Sequence, residues 1–199
     1  MRNLNDFLQK YPASGTADHN FKSLNGLSED LNRFLHSYCG VSFGRNIFRI
    51  LRYQEITHLD ELMSNLLGTA SGEIIWFSAN WMGNIFGQKT SDQGTDQKFI
   101  AMFDFGGAEL FDVGTNFDQC LGNMVEYPDE DNGYFNPSFF KLWSEIASEQ
   151  LDTFKCVGYK VPLFLGGVDD ETNLEVIDTS VYWELTSQII KQSGKRILE

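Results

Sequence analysis

This chain is short of cysteine, proline and histidine, and its second half is short of positive charge. Its three cysteines, Cys39, Cys120 and Cys156, are odd in number, widely spaced and form no CxxC pair. That excludes a disulfide framework and a thiolate metal site, and makes a reducing compartment the expectation. The three histidines, His19, His36 and His58, are remote from one another and form neither a helical pair nor an HExxH arrangement, so no metal is expected. Four prolines in 199 residues argue against a linker-rich modular protein. No stretch approaches the ~20 apolar residues of a membrane span, and Met1 to Lys10 lacks a basic patch followed by an apolar run. The expected location is the cytosol.

Positive charge is not merely scarce but displaced. Residues 1–100 carry nine Lys/Arg against ten Asp/Glu, a net of −1, whereas residues 101–199 carry six against eighteen, a net of −12; the two sum to the −13 of the whole chain. From Asp104 to Asp152 there are eleven acids and one base, Lys141. Such a stretch projects a negative field, which suits a positively charged partner. Nucleic acid and anionic membrane are excluded as direct partners, because phosphate binding depends on Lys/Arg displacing counterions.

What the chain has in quantity is apolar and aromatic surface: 42% hydrophobic residues, 14% aromatic, with seventeen Phe. That is ample for a core. The spacing Leu27, Leu31, Phe34, Leu35, Tyr38 predicts an amphipathic helix opened by Ser28 and ended at Gly40. A shorter helix is predicted at Leu4 to Lys10. Ile47 to Arg52 reads as a strand, and Thr57-x-x-Asp60 as a capping box before a helix that stops at Gly68. Ile74 to Ala79, Asn84 to Gln88, Lys98 to Asp104 and Ala108 to Val113 read as a meander of short strands, with a polar, mobile loop at Lys89 to Gln97. Thr115-x-x-Asp118 and Asn136-Pro137 each announce a further helix. A final helix is expected from about Thr179 to Gln192, with Val181, Leu185 and Ile189 on its buried side. The sum is an α+β fold: a largely antiparallel meander sheet with helices packed against it and at both ends. Three regions are expected: residues 1–26 as a helix and flexible segment, 27–113, and 114–199, the latter two sharing one core.

Few motifs carry chemistry. The cluster Asp129 to Gly133 fails as a calcium loop, because taking Gly133 as the sixth position places Pro128 first and Phe139 twelfth, where oxygen ligands are needed. Ser138-x-x-Lys141 lacks the partner motifs of a penicillin-recognising enzyme. Gly166-Gly167 lacks the Lys-Ser/Thr of a phosphate loop. Cys39 follows His36 by three residues, a spacing that can bring a thiol to an imidazole, but no third orienting residue is available and a lone buried Cys is ordinarily a small hydrophobe. No cofactor, metal or catalytic residue is expected.

The segment Val161-Pro-Leu-Phe-Leu-Gly-Gly-Val-Asp-Asp-Glu-Thr-Asn-Leu, followed by a helix bearing Tyr and Trp, resembles the type VI secretion immunity proteins. In that family a GAD-like N-terminal region precedes a C-terminal domain marked by a proline-containing apolar strand, two glycines and Asn-Leu. Here those positions are Pro162, Leu165, Gly166, Gly167, Asn173 and Leu174. Tyr38-Cys39-Gly40, Phe43-Gly44, Ile47-Phe-Arg-Ile and the hairpin from Ile75 to Phe86 resemble the GAD-like region. The resemblance implies a cytosolic antitoxin that binds a delivered toxin, often a DNase. Joined to the acidic half, it makes the expectation a stoichiometric inhibitor docking on a basic nuclease surface through Asp129, Glu130 and Asp131, with Asp169, Asp170 and Glu171 second. The alternatives are a regulatory or scaffold module using exposed aromatics such as Trp81 or Tyr134, and a small-molecule binder or hydrolase using His36 and Cys39.

Overall fold

The computed structural model describes residues 1–68, 74–89, 99–127, 135–147 and 151–197. The cluster Asp129 to Asp131, Tyr134 and the polar loop beyond Lys89 therefore lie outside the described residues. The fold is α+β. A meander of seven strands runs in sequence order, each antiparallel to the next: β1 (Ala13–Ser14), β2 (Ser42–Phe43), β3 (Phe48–Ile50), β4 (Ile74–Asn80), β5 (Ile85–Lys89), β6 (Ile100–Asp104) and β7 (Glu109–Gly114). A separate hairpin pairs β8 (Lys155–Tyr159) with β9 (Leu174–Asp178).

Alternation along β3 shows how the sheet is covered. Phe48 packs edge-on against Phe7 of the first helix, α1 (Leu4–Lys10), and against Phe86, whereas the guanidinium of the next residue, Arg49, lies 5.8 Å from the ring of Trp183 in the last helix, α6 (Thr179–Ser193). Successive side chains of a strand point to opposite faces, so helices cover both sides. On the Phe48 side, Phe34 of α2 (Glu29–Tyr38) meets Phe117 of α4 (Phe117–Glu126), which in turn meets Phe77 of β4. On the Arg49 side, α3 (Tyr53–Leu67) lies beside α6 and against β4. A fifth helix, α5 (Pro137–Ile146), lays Phe139, Phe140 and Trp143 around Trp81.

One buried cluster runs from Phe7 to Ile190 and takes in all of these elements except β1, whose two residues are exposed. The hairpin β8–β9 joins it through the turn after β4: the Val157 N–H donates to the Trp81 carbonyl at 2.8 Å, and the Trp183 indole donates to the Gly83 carbonyl at 2.7 Å. Gly83 has φ +79, and a Cβ there would press Cys156 and Tyr182 at 3.0 Å, so the close approach of hairpin, helix and turn needs glycine.

Several local expectations are corrected. Helix α3 begins at Tyr53, not at Thr57, because Glu55 supplies the cap: its carboxylate accepts from the Arg52 N–H at 2.9 Å and from the buried Arg49 guanidinium at 2.8 Å. Thr57 sits inside the helix, donating to the Tyr53 carbonyl. The cap of α4 is Asn116, which accepts from the Gln119 N–H, one residue beyond the expected Thr115. Leu163 to Leu165 form a 3-10 turn instead of a strand, while β8 and β9 are strands where none was expected. Val181 and Leu185 of α6 face solvent, and its buried side is Tyr182, Trp183, Thr186, Ser187 and Ile190.

Candidate partner-binding site

Hairpin β8–β9 is closed by an irregular segment, residues 160–173, whose shape is fixed by one side chain. Asn173 is buried at 6% exposure, and its Oδ1 accepts from the Val161 N–H at 3.0 Å. Its Nδ2 donates to the Val161 carbonyl at 2.8 Å and to the Val168 carbonyl at 2.9 Å. An asparagine has one acceptor and two donors to give, and here all three are used on backbone. The two ends of the Val161–Val168 loop are therefore held together by a single amide.

Inside the loop the chain turns on itself. The Leu165 and Gly167 N–H groups both donate to the Pro162 carbonyl, and the Gly166 N–H donates to Leu163. Gly166 has φ +88, a left-handed conformation that glycine adopts without strain. Gly167 is constrained by space: a Cβ there would lie 1.9 Å from the Val161 carbonyl oxygen and 2.8 Å from the Asn173 amide. The loop is also fastened to the main sheet, because the Phe164 N–H donates to Gly106 and the Tyr159 ring rests where a Cβ of Gly106 would be. Gly106 and Gly107 in turn donate to the half-buried Asp104 carboxylate at 2.9 and 3.0 Å. Burial raises the pKa of Asp104 against those bonds.

What this frame displays is both apolar and acidic. Val161, Leu165 and Val168 are 47, 51 and 56% exposed. The three acids that follow are anchored at their bases. Asp169 accepts from the Tyr159 hydroxyl, whose own pKa is raised by burial and by that carboxylate. Asp170 accepts from the Thr172 hydroxyl and N–H, bonds that hold it below the ordinary carboxylate range, the hydroxyl contributing most. Glu171 opens the 3-10 turn that delivers Asn173. Lys160, the base nearest in sequence, is committed to the Thr172 carbonyl at 2.8 Å. The structure thus brings Asp169, Asp170 and Glu171 together beside an apolar tip. The acids are legible in the sequence, but the exposure of Leu165 is not, since the apolar strand expected before Gly166-Gly167 places it in the core, and no expectation is attached to Val168.

The other candidates do not assemble. Cys39 is fully buried and its thiol donates to the Leu51 carbonyl at 3.2 Å. Burial, with Asp18 next, pushes it up to about 11, opposite to what a nucleophilic thiol needs. His36 faces solvent and bonds Ser23 at 2.9 Å instead. The pair does not form: at the end of α2 Cys39 is turned into the core against Leu51, while His36 stays on the exposed side with Ser23. Trp81 is only 1% exposed, with its indole donating to the Phe135 carbonyl at 2.5 Å, so it is core and not an exposed anchor. A cleft of about 420 Å³, lined by Leu66, Leu110, Ile190, Lys191, Lys195 and Arg196, lies away from His36 and Cys39. Among the described residues, no group of three or more His, Cys, Asp and Glu stands ready for a metal ion, and no helix is long and apolar enough to cross a membrane.

No protein-family model matches this chain, and no curated protein does. Among solved structures it is similar to the crystal structure of Atu4351 from Agrobacterium tumefaciens. The TM-score is 0.62 at 12% identity, over 91% of this chain and 86% of that one. That likeness shows a shared α+β fold.

Proposed function

We propose that this chain is an immunity protein that binds a cognate type VI secreted toxin, a nuclease with a basic surface, and inhibits it stoichiometrically without turnover of its own. The observation that carries the reading is the acid surplus of the second half, net −12, of which three consecutive acids, Asp169, Asp170 and Glu171, stand on a stiffened loop. A nuclease must hold phosphates on Lys and Arg, and an inhibitor presenting fixed carboxylates competes for those cations. Complementary charge speeds such an encounter and selects the partner. A preformed surface also avoids the ordering cost that a floppy acidic tail pays on binding. The resemblance of Pro162, Gly166, Gly167, Asn173 and Leu174 to the immunity-protein pattern supports the same assignment.

The test is co-expression with the protein encoded by the adjacent reading frame, followed by a toxicity rescue assay. Growth restored only when this chain is present, together with a stable complex of the two purified proteins, is the expected result. Equal killing with and without the chain overturns the reading.

A further inference from the structure

We propose that Leu165 and Val168, with Val161 beside them, form the apolar anchor by which this protein seats on its toxin, entering a hydrophobic pocket bordered by Lys and Arg. The inference rests on the inhibitor reading above and adds to it the contact surface. Three large aliphatic side chains about half exposed within eight consecutive residues are a concentration of apolar surface that folding leaves unused. Flexibility does not account for it. Asn173 spans the loop's two ends, Pro162 accepts two turn bonds, and Gly167 leaves no room for even a methyl group. A loop held by that many polar bonds presents Leu165 and Val168 in one conformation, so docking them costs little entropy. Interfaces concentrate their energy in such rigid apolar anchors, while a charged rim governs encounter and orientation. The rim here is Asp169, Asp170 and Glu171, immediately next in the chain, and it fits a pocket edged by cations.

The experiment measures association and dissociation between this chain and the purified, catalytically disabled product of the adjacent reading frame, at low and high salt. The chains compared are the wild type, Leu165→Asp, Val168→Asp, the double charge reversal Asp170→Lys/Glu171→Lys, and Val181→Asp as a control on the exposed side of α6. Each exposed substitution is first shown to keep the wild-type melting temperature. Leu165→Asp and Val168→Asp are expected to weaken binding by about 30-fold or more, mainly through faster dissociation. Val181→Asp is expected to change it less than about threefold. The charge reversal is expected to slow association at low salt and to lose that effect at high salt. Wild-type binding with both aspartate variants within about threefold of it overturns the anchor while leaving the inhibitor reading intact. Absence of wild-type binding removes the inhibitor reading, and the anchor with it. Wild-type self-association abolished by Leu165→Asp assigns the tip to a second copy of this chain and overturns the proposal.

Discussion

Asn173 pairs with Val161 through both of that residue's backbone polar groups, accepting from its N–H at 3.0 Å and donating to its carbonyl at 2.8 Å. With its third bond, to Val168, the side chain continues the β8–β9 pairing past the backbone bond from the Lys160 N–H to the Asn173 carbonyl. Replacing Asn173 by Ala leaves three backbone groups to find water in a part-buried site. The expected loss is about 2–3 kcal/mol in the stability measured by urea unfolding. Asn173→Asp is not expected to rescue it, because a carboxylate cannot donate to two carbonyls.

The two adjacent glycines separate two reasons for glycine. At Gly166 there is nothing within 4 Å of an added Cβ, but φ is +88, so Gly166→Ala is expected to cost only the strain of a left-handed residue, about 1–2 kcal/mol. At Gly167 an added Cβ meets the Val161 carbonyl at 1.9 Å, and backbone must move. Gly167→Ala is therefore expected to cost more than Gly166→Ala and to undo the Asn173 bonds, seen as raised amide exchange at Val161. Equal denaturation midpoints for the two variants would refute this division.

The thiols provide a third check. Cys39 and Cys156 are pushed up to about 11 and about 12, in each case chiefly by burial, and Cys120 is raised further by burial alone. All three are buried. In the native protein at about pH 8, where an ordinary thiol near ~8.5 reacts readily, a thiol-specific reagent is expected to modify none of them within minutes. All three should react once denaturant is added. Rapid, selective labelling of Cys39 in the native state would restore it as a candidate nucleophile.

Where sequence and structure agree, a local rule coincides with a buried partner. Ser28 caps α2 by accepting from the Leu31 N–H, and Leu31, Phe34 and Leu35 are buried as the helical stripe predicts. The meander of β4 to β7 was legible because its aromatic runs are punctuated by turn residues. The disagreements arise where tertiary packing chooses between equal local options. Helix α6 is apolar on two sides, and the sheet takes the side with Trp183 and Tyr182, leaving Val181 and Leu185 at 44 and 49% exposure. Strand β8 was hidden by Gly158, whose missing side chain makes room for the Tyr182 ring 2.5 Å from where a Cβ would sit. Leu165 reads as core because hydrophobicity predicts burial only one way: an apolar residue held outward carries no mark in its own sequence.

The cap of α6 gives a prediction whose sign depends on pH. Asp178 accepts from the Ser180 hydroxyl at 2.8 Å and N–H at 3.0 Å, and from the Val181 N–H at 3.3 Å. These bonds, the Ser180 hydroxyl first, lower its pKa, with Arg49 adding a smaller contribution in the same direction. A carboxylate whose pKa is lower folded than unfolded binds fewer protons in the native state. Its contribution is present above the unfolded value of ~3.9 and disappears as pH falls through the lower native value. At neutral pH, Asp178→Ala is expected to lose about 1 kcal/mol, the usual worth of an N-cap. The gap between wild type and variant should narrow once the pH drops below ~3.9, as protonation removes the charged acceptor from the wild type as well. Asp178→Asn, which keeps a neutral acceptor for the Ser180 and Val181 N–H groups, should retain part of the stability at neutral pH and show a flatter acid limb. Urea midpoints for the three proteins across the acid range test this directly, and a constant gap between wild type and Asp178→Ala would mean that the charge at position 178 takes no part in holding the helix.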